Sequence, residues 1–174
     1  AERLAGAFAV AWRDSFQLRQ VARFRSLSDA DRRAKLAADS LRRAGNSALG
    51  SVGIPAAMQA WRESLRQFEA LTDSAGIAAA LGNLGAGFFL SQAYDSAETY
   101  LERSRDLAER IGDYRTAGNA VGTVASVSKD RGDLRKASDL YARARELRER
   151  TGDTRGLASD RNNLGLVSQA LGDL

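Results

Sequence analysis

Apolar and small residues return along this chain in steps of three and four, and the whole pattern returns every 40 positions. Leu41, Leu81 and Val121 each stand four residues before a small residue, in the column Gly45, Gly85, Ala125 and Gly165. A second small column, Ala57, Ala97 and Ala137, is followed four residues later by bulky Trp61, Leu101 and Tyr141. Three residues further come Ser64, Ser104 and Ala144. Steps of three and four put residues on one face of an α-helix. Each unit of 40 therefore reads as two helices, which in the second unit fall at about 74–91 and 95–110. The turns Gly112-Asp113, Gly132-Asp133 and Gly152-Asp153 separate them. Gly ends a helix in the left-handed conformation, and Asp caps the next one. Pro55 stands where the first second-position helix begins, a site that tolerates a missing N–H. Arg161 occupies the place of Leu41, Leu81 and Val121 in the last copy.

The small columns predict where helices cross. A Gly or Ala lets two backbones approach, and a bulky neighbour fills the gap. One helix pair cannot bury its apolar face alone, so the units must stack. The expected organisation is a helical array over 28–174, in units of about 28–72, 73–111, 112–151 and 152–174. Ser28-Asp29-Ala30-Asp31 is a helix start. Leu174 matches Leu134, so the last unit stops after its first helix, and the natural protein is expected to continue. The chain opens on Ala1 rather than Met, so residues are expected before it as well. Glu146–Arg150 and Arg105–Glu109 are expected ion pairs at i,i+4.

Residues 3–25 read as one further helix, with 1–27 forming a capping or linker segment. Phe8, Trp12 and Phe16 fall four apart on one stripe, with Arg13, Arg19, Arg23 and Arg25 opposite. The stripe is expected to cover the first repeat, or else to meet another domain or chain.

Composition narrows the chemistry. The chain has 174 residues, 44% hydrophobic and 28% charged, without cysteine or histidine. Thiolate chemistry, disulfides, zinc sites and most catalytic triads are thereby excluded. No window is long enough to span a membrane. The expectations are no enzyme activity, no metal, no cofactor and a cytoplasmic location. The one carboxylate pair considered for acid–base work is Asp130 with Asp133, and both have simpler roles at a helix end and a turn. The net charge is +4, and residues 1–70 carry 12 Lys/Arg against 7 Asp/Glu, whereas 71–174 carry 14 against 15. That basic N-terminal portion supports an alternative reading as a nucleic-acid-binding repeat.

The arrangement L-x-N-L-G-x-x-F (residues 81–88), followed by A-x-x-x-[LYW]-x-x-[SA], resembles the tetratricopeptide repeat in its 40-residue variety. That variety occurs in Leu-Gly-Asn-rich cell-polarity adaptors and in bacterial signalling proteins. HEAT and armadillo repeats share the length but account less well for the small columns. The resemblance covers about 30–174. It implies an all-α, right-handed α-solenoid of antiparallel helix pairs, and a scaffold, adaptor or sensor module that binds a peptide or protein in its concave groove. It also places the glycines of LGNLGAG (81–87) within a helix. The order is wrong for a dinucleotide loop, and no Lys-Ser/Thr follows as in a P-loop.

In such arrays the first helix of each pair lines the groove. The candidate ligand-binding residues are then Arg42, Arg43, Asn46, Asn83, Phe89, Asn119, Thr123, Asn162 and Asn163. An Asn amide can donate to a peptide carbonyl and accept from a peptide N–H. Arg42, Asn46 and Asn83 also resemble the start of a carboxylate clamp, but Gly122 and Ser126 stand where that clamp needs basic residues. Self-association through the open last repeat or the N-terminal helix is the remaining partner expectation.

Overall fold

The computed structural model describes residues 2–4, 6–7 and 15–172. Every regular element among them is helical: α1 (Phe16–Ser26), α2 (Asp29–Ser51), α3 (Ile54–Ala70), α4 (Ser74–Leu90), α5 (Tyr94–Ile111), α6 (Tyr114–Asp130), α7 (Leu134–Glu149) and α8 (Thr154–Leu171). Residues 2–4 and 6–7 are helical too. The protein is all-α.

The chain is punctuated every 20 residues rather than every 40. Positive φ angles fall at Thr72, Gln92, Gly112, Gly132, Gly152 and Gly172. The residue after each of the first five turns its N–H back five positions: Asp73 to Phe68 O, Ala93 to Phe88 O, Asp113 to Ala108 O, Asp133 to Ser128 O and Asp153 to Arg148 O, at 2.8–3.1 Å. This left-handed C-terminal motif satisfies carbonyls that the helix end would leave bare. The α2–α3 turn keeps the bond, Gly53 N–H to Ala48 O at 2.8 Å, but its positive φ of 114° sits one residue later, at Gly53. Asp113, Asp133 and Asp153 then cap the following helices through Thr116, Lys136 and Gly156 N–H. Ser28 caps α2 by accepting from Asp31 N–H at 3.1 Å, and Pro55 lies in the first turn of α3.

Turns this short fold consecutive helices back on each other. Each helix from α2 onward packs on its sequence neighbours, and α2 with α4, α4 with α6 and α6 with α8 also touch. The small columns mark equivalent crossings. A Cβ on Gly45 would lie 2.5 Å from Trp61, and one on Gly85 would lie 2.5 Å from Leu101 Cγ. Ala125 packs in one cluster with Tyr141. In each case the bulky partner is 16 residues on. Gly165 has nothing within 4 Å of its would-be Cβ.

Two hydrogen bonds repeat with the period. Ser64 Oγ donates to Ala38 O at 2.9 Å, and Ser104 Oγ donates to Ala78 O at 2.8 Å. The third copy has Ala144 instead, and there Arg148 Nη2 reaches Gly118 O, the equivalent carbonyl, at 3.2 Å. Arg148 replaces Phe68 in its column. Each of these large side chains lies against a glycine of the next helix, Gly76 for Phe68 and Gly156 for Arg148.

Three expectations need correction. Residues 3–25 do not form one helix, because Ser15 lies outside helix and precedes α1 as its N-cap. Phe8, Trp12 and Arg13 of the expected stripe, and Leu174, lie outside the described residues. Nor does α1 simply cover the first repeat. Arg23 Nη2 donates to Thr72 O at 2.8 Å and Arg19 Nη2 to Ile111 O at 3.1 Å, so α1 bridges the turns that lead into α4 and α6. Phe16 alone of α1 is buried. The surface ion pairs also differ. Arg143 takes Glu146 at 3.0 Å and Glu109 at 3.5 Å, Arg105 takes its neighbour Asp106 at 2.8 Å, and the Arg150 guanidinium stacks 3.7 Å from the Tyr114 ring centre. Shorter reach and an aromatic face beat the i,i+4 partners.

Candidate functional site: a polar groove along α2, α4 and α6

Helices α2, α4 and α6 contribute one face each to a groove of about 390 Å³, which Gln17 of α1 also borders. Its floor on α4 is Ala79, Gly82 and Ala86, and its polar walls include Arg42, Asn83, Asn119 and Thr123. The small floor follows from close packing behind it: a Cβ on Gly82 would stand 3.1 Å from Ser104 Oγ. A second depression of about 580 Å³ lies between α6 and α8 and includes Arg115, Asn119, Arg155 and Ser159. Arg115 and Asn119 line both, so the two depressions adjoin, and together they are termed the trough.

The structure brings four of the nine candidates, Arg42, Asn83, Asn119 and Thr123, into that trough. Arg42 faces Asp39 at 3.8 Å, Thr123 Oγ1 donates to the Asn119 main-chain carbonyl at 3.0 Å, and the exposed side-chain amide of Asn119 makes no hydrogen bond among the described residues. Asn46 is engaged elsewhere. Its Oδ1 accepts from Trp61 Nε1 at 2.9 Å and from Asn83 Nδ2 at 3.0 Å. Phe89 is half-buried against Tyr94, ring centres 6.2 Å apart, in the cluster around Leu101 and Val124. Arg43, Asn162 and Asn163 line neither depression.

The engagement of Asn46 has a repeat-wide cause. Position 46 bonds the tip of the bulky residue at position 61, and position 126 bonds the tip of the one at 141: Trp61 with Asn46, and Tyr141 with Ser126, both at 2.9 Å. In the copy between them, where residue 101 is Leu and has no polar tip, position 86 is Ala. A buried indole N–H or phenol must be hydrogen-bonded, so this column serves packing. Burial pushes the Tyr141 hydroxyl above its ordinary pKa, and the Ser126 hydrogen bond partly offsets that.

The sequence reading overlooked Arg115, Arg155 and Ser159. They stand ten and six residues before the small column, one and two turns further along the same helices, and the same 40-residue register would have found them. Arg115 lies 3.9 Å from Asp153, and Arg155 is exposed. Beneath this end of the trough sits a buried charge cluster. Arg148 Nε contacts Asp160 Oδ2 at 3.0 Å, out of line for a hydrogen bond, and Nη1 donates to Asp153 Oδ2 at 3.4 Å. Burial holds the Asp160 carboxyl above the ordinary aspartate range, with Arg148 pulling it back and Asp153 adding to the rise.

Several N-terminal arginines make solvent-exposed contacts within the molecule, whereas Arg33 and Arg43 make none among the described residues. Arg19 and Arg23 hold backbone carbonyls, Arg25 pairs with Glu2 at 2.7 Å, and Arg32 holds Arg25 O and Asp29. Among the described residues, no group of three or more His, Cys, Asp or Glu could hold a metal ion, and no helix is long and apolar enough to cross a membrane.

No family model matches the chain, and no curated protein matches it in sequence. Among solved structures it is similar to BtubC (BKLC) from P. vanneervenii, with a TM-score of 0.70 at 17% identity, over 97% of this chain and 75% of that one. At that identity the likeness is one of fold: an all-helical, repeat-like architecture.

Proposed function

We propose that the protein is a tetratricopeptide-type, right-handed solenoid whose inner wall, built by α2, α4 and α6, holds an extended segment of a partner protein. The observation that carries this reading is the trough of two adjoining depressions, with a floor of Ala and Gly and walls of Asn, Thr and Arg. A small floor admits a peptide backbone, and side-chain amides can bond it without reading its side chains. Neighbouring first-position helices touch one another, whereas no pairing of α3 with α5 or α5 with α7 is as extensive as that of α4 with α6. That asymmetry supports a curved row with α2, α4 and α6 on the inside. The trough is held open by packed helices, so little ordering cost falls on the scaffold. Adaptor or sensor work in a larger, cytoplasmic protein is the setting this reading implies.

The test is selection of peptides from a random library on the wild-type chain and on Asn119→Ala/Thr123→Ala. Both side chains face the trough, and neither supports a core contact. Peptides enriched on the wild type should lose binding to the variant, with the circular dichroism spectrum unchanged. Equal enrichment on both would remove the trough as the site. The nucleic-acid alternative requires Arg19, Arg23, Arg25 and Arg32 to share or give up the exposed contacts they make within the molecule. It requires affinity that falls steeply with salt, whereas peptide capture by Asn and Thr should change little between 50 and 200 mM salt, to about the extent expected for neutral contacts.

A further inference from the structure

Helix α1 is the shortest of α1–α8, with 11 residues against 16–23 in the others, and Arg19 Nη1 also donates to the hydroxyl of its N-cap, Ser15. A helix of that length is marginal in water on its own, so its order depends on what it touches. Its grip is polar. Arg19 and Arg23, four apart on one face, donate to Ile111 O and Thr72 O. Those carbonyls belong to the ends of α5 and of the turn after α3, where backbone acceptors lack helical partners and the helix dipoles favour a cation. Behind the grip is a gap no larger than about one water molecule. A void of about 10 Å³ remains between Phe24, Leu27, Lys35 and Leu71, and one carboxylate oxygen of the buried Asp73 beside it has no hydrogen-bond partner. Meanwhile Gln17, two residues before Arg19, borders the trough next to Ala79 and Asn83.

We propose that α1 is a strap over the lip of the trough, latched by Arg19 onto the end of α5 and by Arg23 onto the turn after α3, and that it opens as a unit while the array stays folded. Latched, it narrows the trough at α4 and ties the turn before α4 to the turn before α6. Unlatched, it exposes Ala79 and the α4 floor. The regulatory meaning, that a long ligand must displace α1 or share the trough with Gln17, rests on the peptide-groove reading. The opening itself does not.

The full chain offers a clean assay because it has no cysteine. Ala79→Cys, at the strapped end, and Ser159→Cys, in the depression between α6 and α8 that α1 does not border, are each placed in the wild type and in Arg19→Gln/Arg23→Gln. Labelling by a maleimide dye is then timed. Release of the strap should speed labelling at 79 several-fold and leave 159 unchanged. Equal rates at 79 with and without the latch would overturn the proposal, as would equal acceleration at both positions, which would mean general loosening. Hydrogen exchange on the unmutated chain provides a second arm that cannot fail by misfolding. Amides of 19–26 should exchange at least about tenfold faster than those of α4, as expected of a locally opening unit. Protection of α1 equal to that of α4 would sink the strap.

Discussion

At the scale of single residues, the same column gives opposite outcomes in different copies, because the neighbour decides. Gly85 meets Leu101 at 2.5 Å and its backbone N at 3.2 Å, so Gly85→Ala forces the crossing apart. We expect a loss of about 1–3 kcal/mol in urea unfolding, the usual cost of overpacking. Gly165 meets nothing, and Gly165→Ala should raise stability by about 0.5–1 kcal/mol, the difference in helix propensity. The turns carry a similar contrast. Thr72 and Gln92 take φ of 49° and 59° where the later turns have Gly. Gln92→Gly relieves a left-handed strain of about 1–2 kcal/mol at the cost of some unfolded-state entropy, so a net gain of about 0.5–1 kcal/mol is expected by the same measurement. The Gly-Asp turns were legible from residue chemistry. Thr72 and Gln92 were not, because neither residue type favours that conformation and only the 20-residue spacing of the turns puts them there.

At the scale of elements, α8 is joined to the stack by charge as much as by apolar packing. Arg148 holds Gly118 O behind it and Asp153 and Asp160 ahead of it, with side-chain exposures of 10% and 2% for Arg148 and Asp160. Removing one partner of a buried pair strands the other, at a cost of about 3 kcal/mol or more. Arg148→Ala should therefore lose the amide protection of α8 first. The pair also has a pH signature. The folded chain keeps the Asp160 proton to higher pH than the unfolded chain, whose value is near 3.8. Between those two values the native state binds more protons, so stability falls as pH rises through the window. Asp160→Asn has no such group. Its stability relative to the wild type should improve as pH climbs from 3.8 through the raised value, measured by unfolding at a series of pH values. The helices themselves were readable from columns such as Ala57–Trp61–Ser64. The partner of Arg148 was not, since it lies on the next helix and its column holds Phe68 and Ala108 elsewhere.

At the scale of the whole molecule, from α2 onward packing runs from each helix to its sequence neighbours and, for α2, α4, α6 and α8, to the next of these in order. Stability in such an array is close to a sum of unit and interface terms, and it should be greatest in the middle. Hydrogen exchange should be slowest in α4 to α6, faster in α2, and fastest in α1 and α8. Uniform protection from α1 to α8 would contradict nearest-neighbour packing. The trough belongs to this scale too. Four of the nine candidate residues reach it because the 40-residue register carries equivalent positions onto one face, and Arg115, Arg155 and Ser159 join them by the same rule.

From α2 onward the sequence by itself determined the helices, their register and the crossings at Gly45, Gly85 and Ala125, because steps of three and four, left-handed glycines and small-to-bulky complementarity are local rules that repeat. Tertiary structure alone decided which polar side chains remain free for a ligand. Asn46 and Asn119 are the same residue type on equivalent helices. One is consumed by the indole of Trp61 and the other faces open space, and that difference depends on what a neighbouring helix presents across a few ångströms. It decided likewise where α1 lies, since carbonyls at the ends of distant helices attract an arginine without leaving any trace in the arginine's own surroundings along the chain.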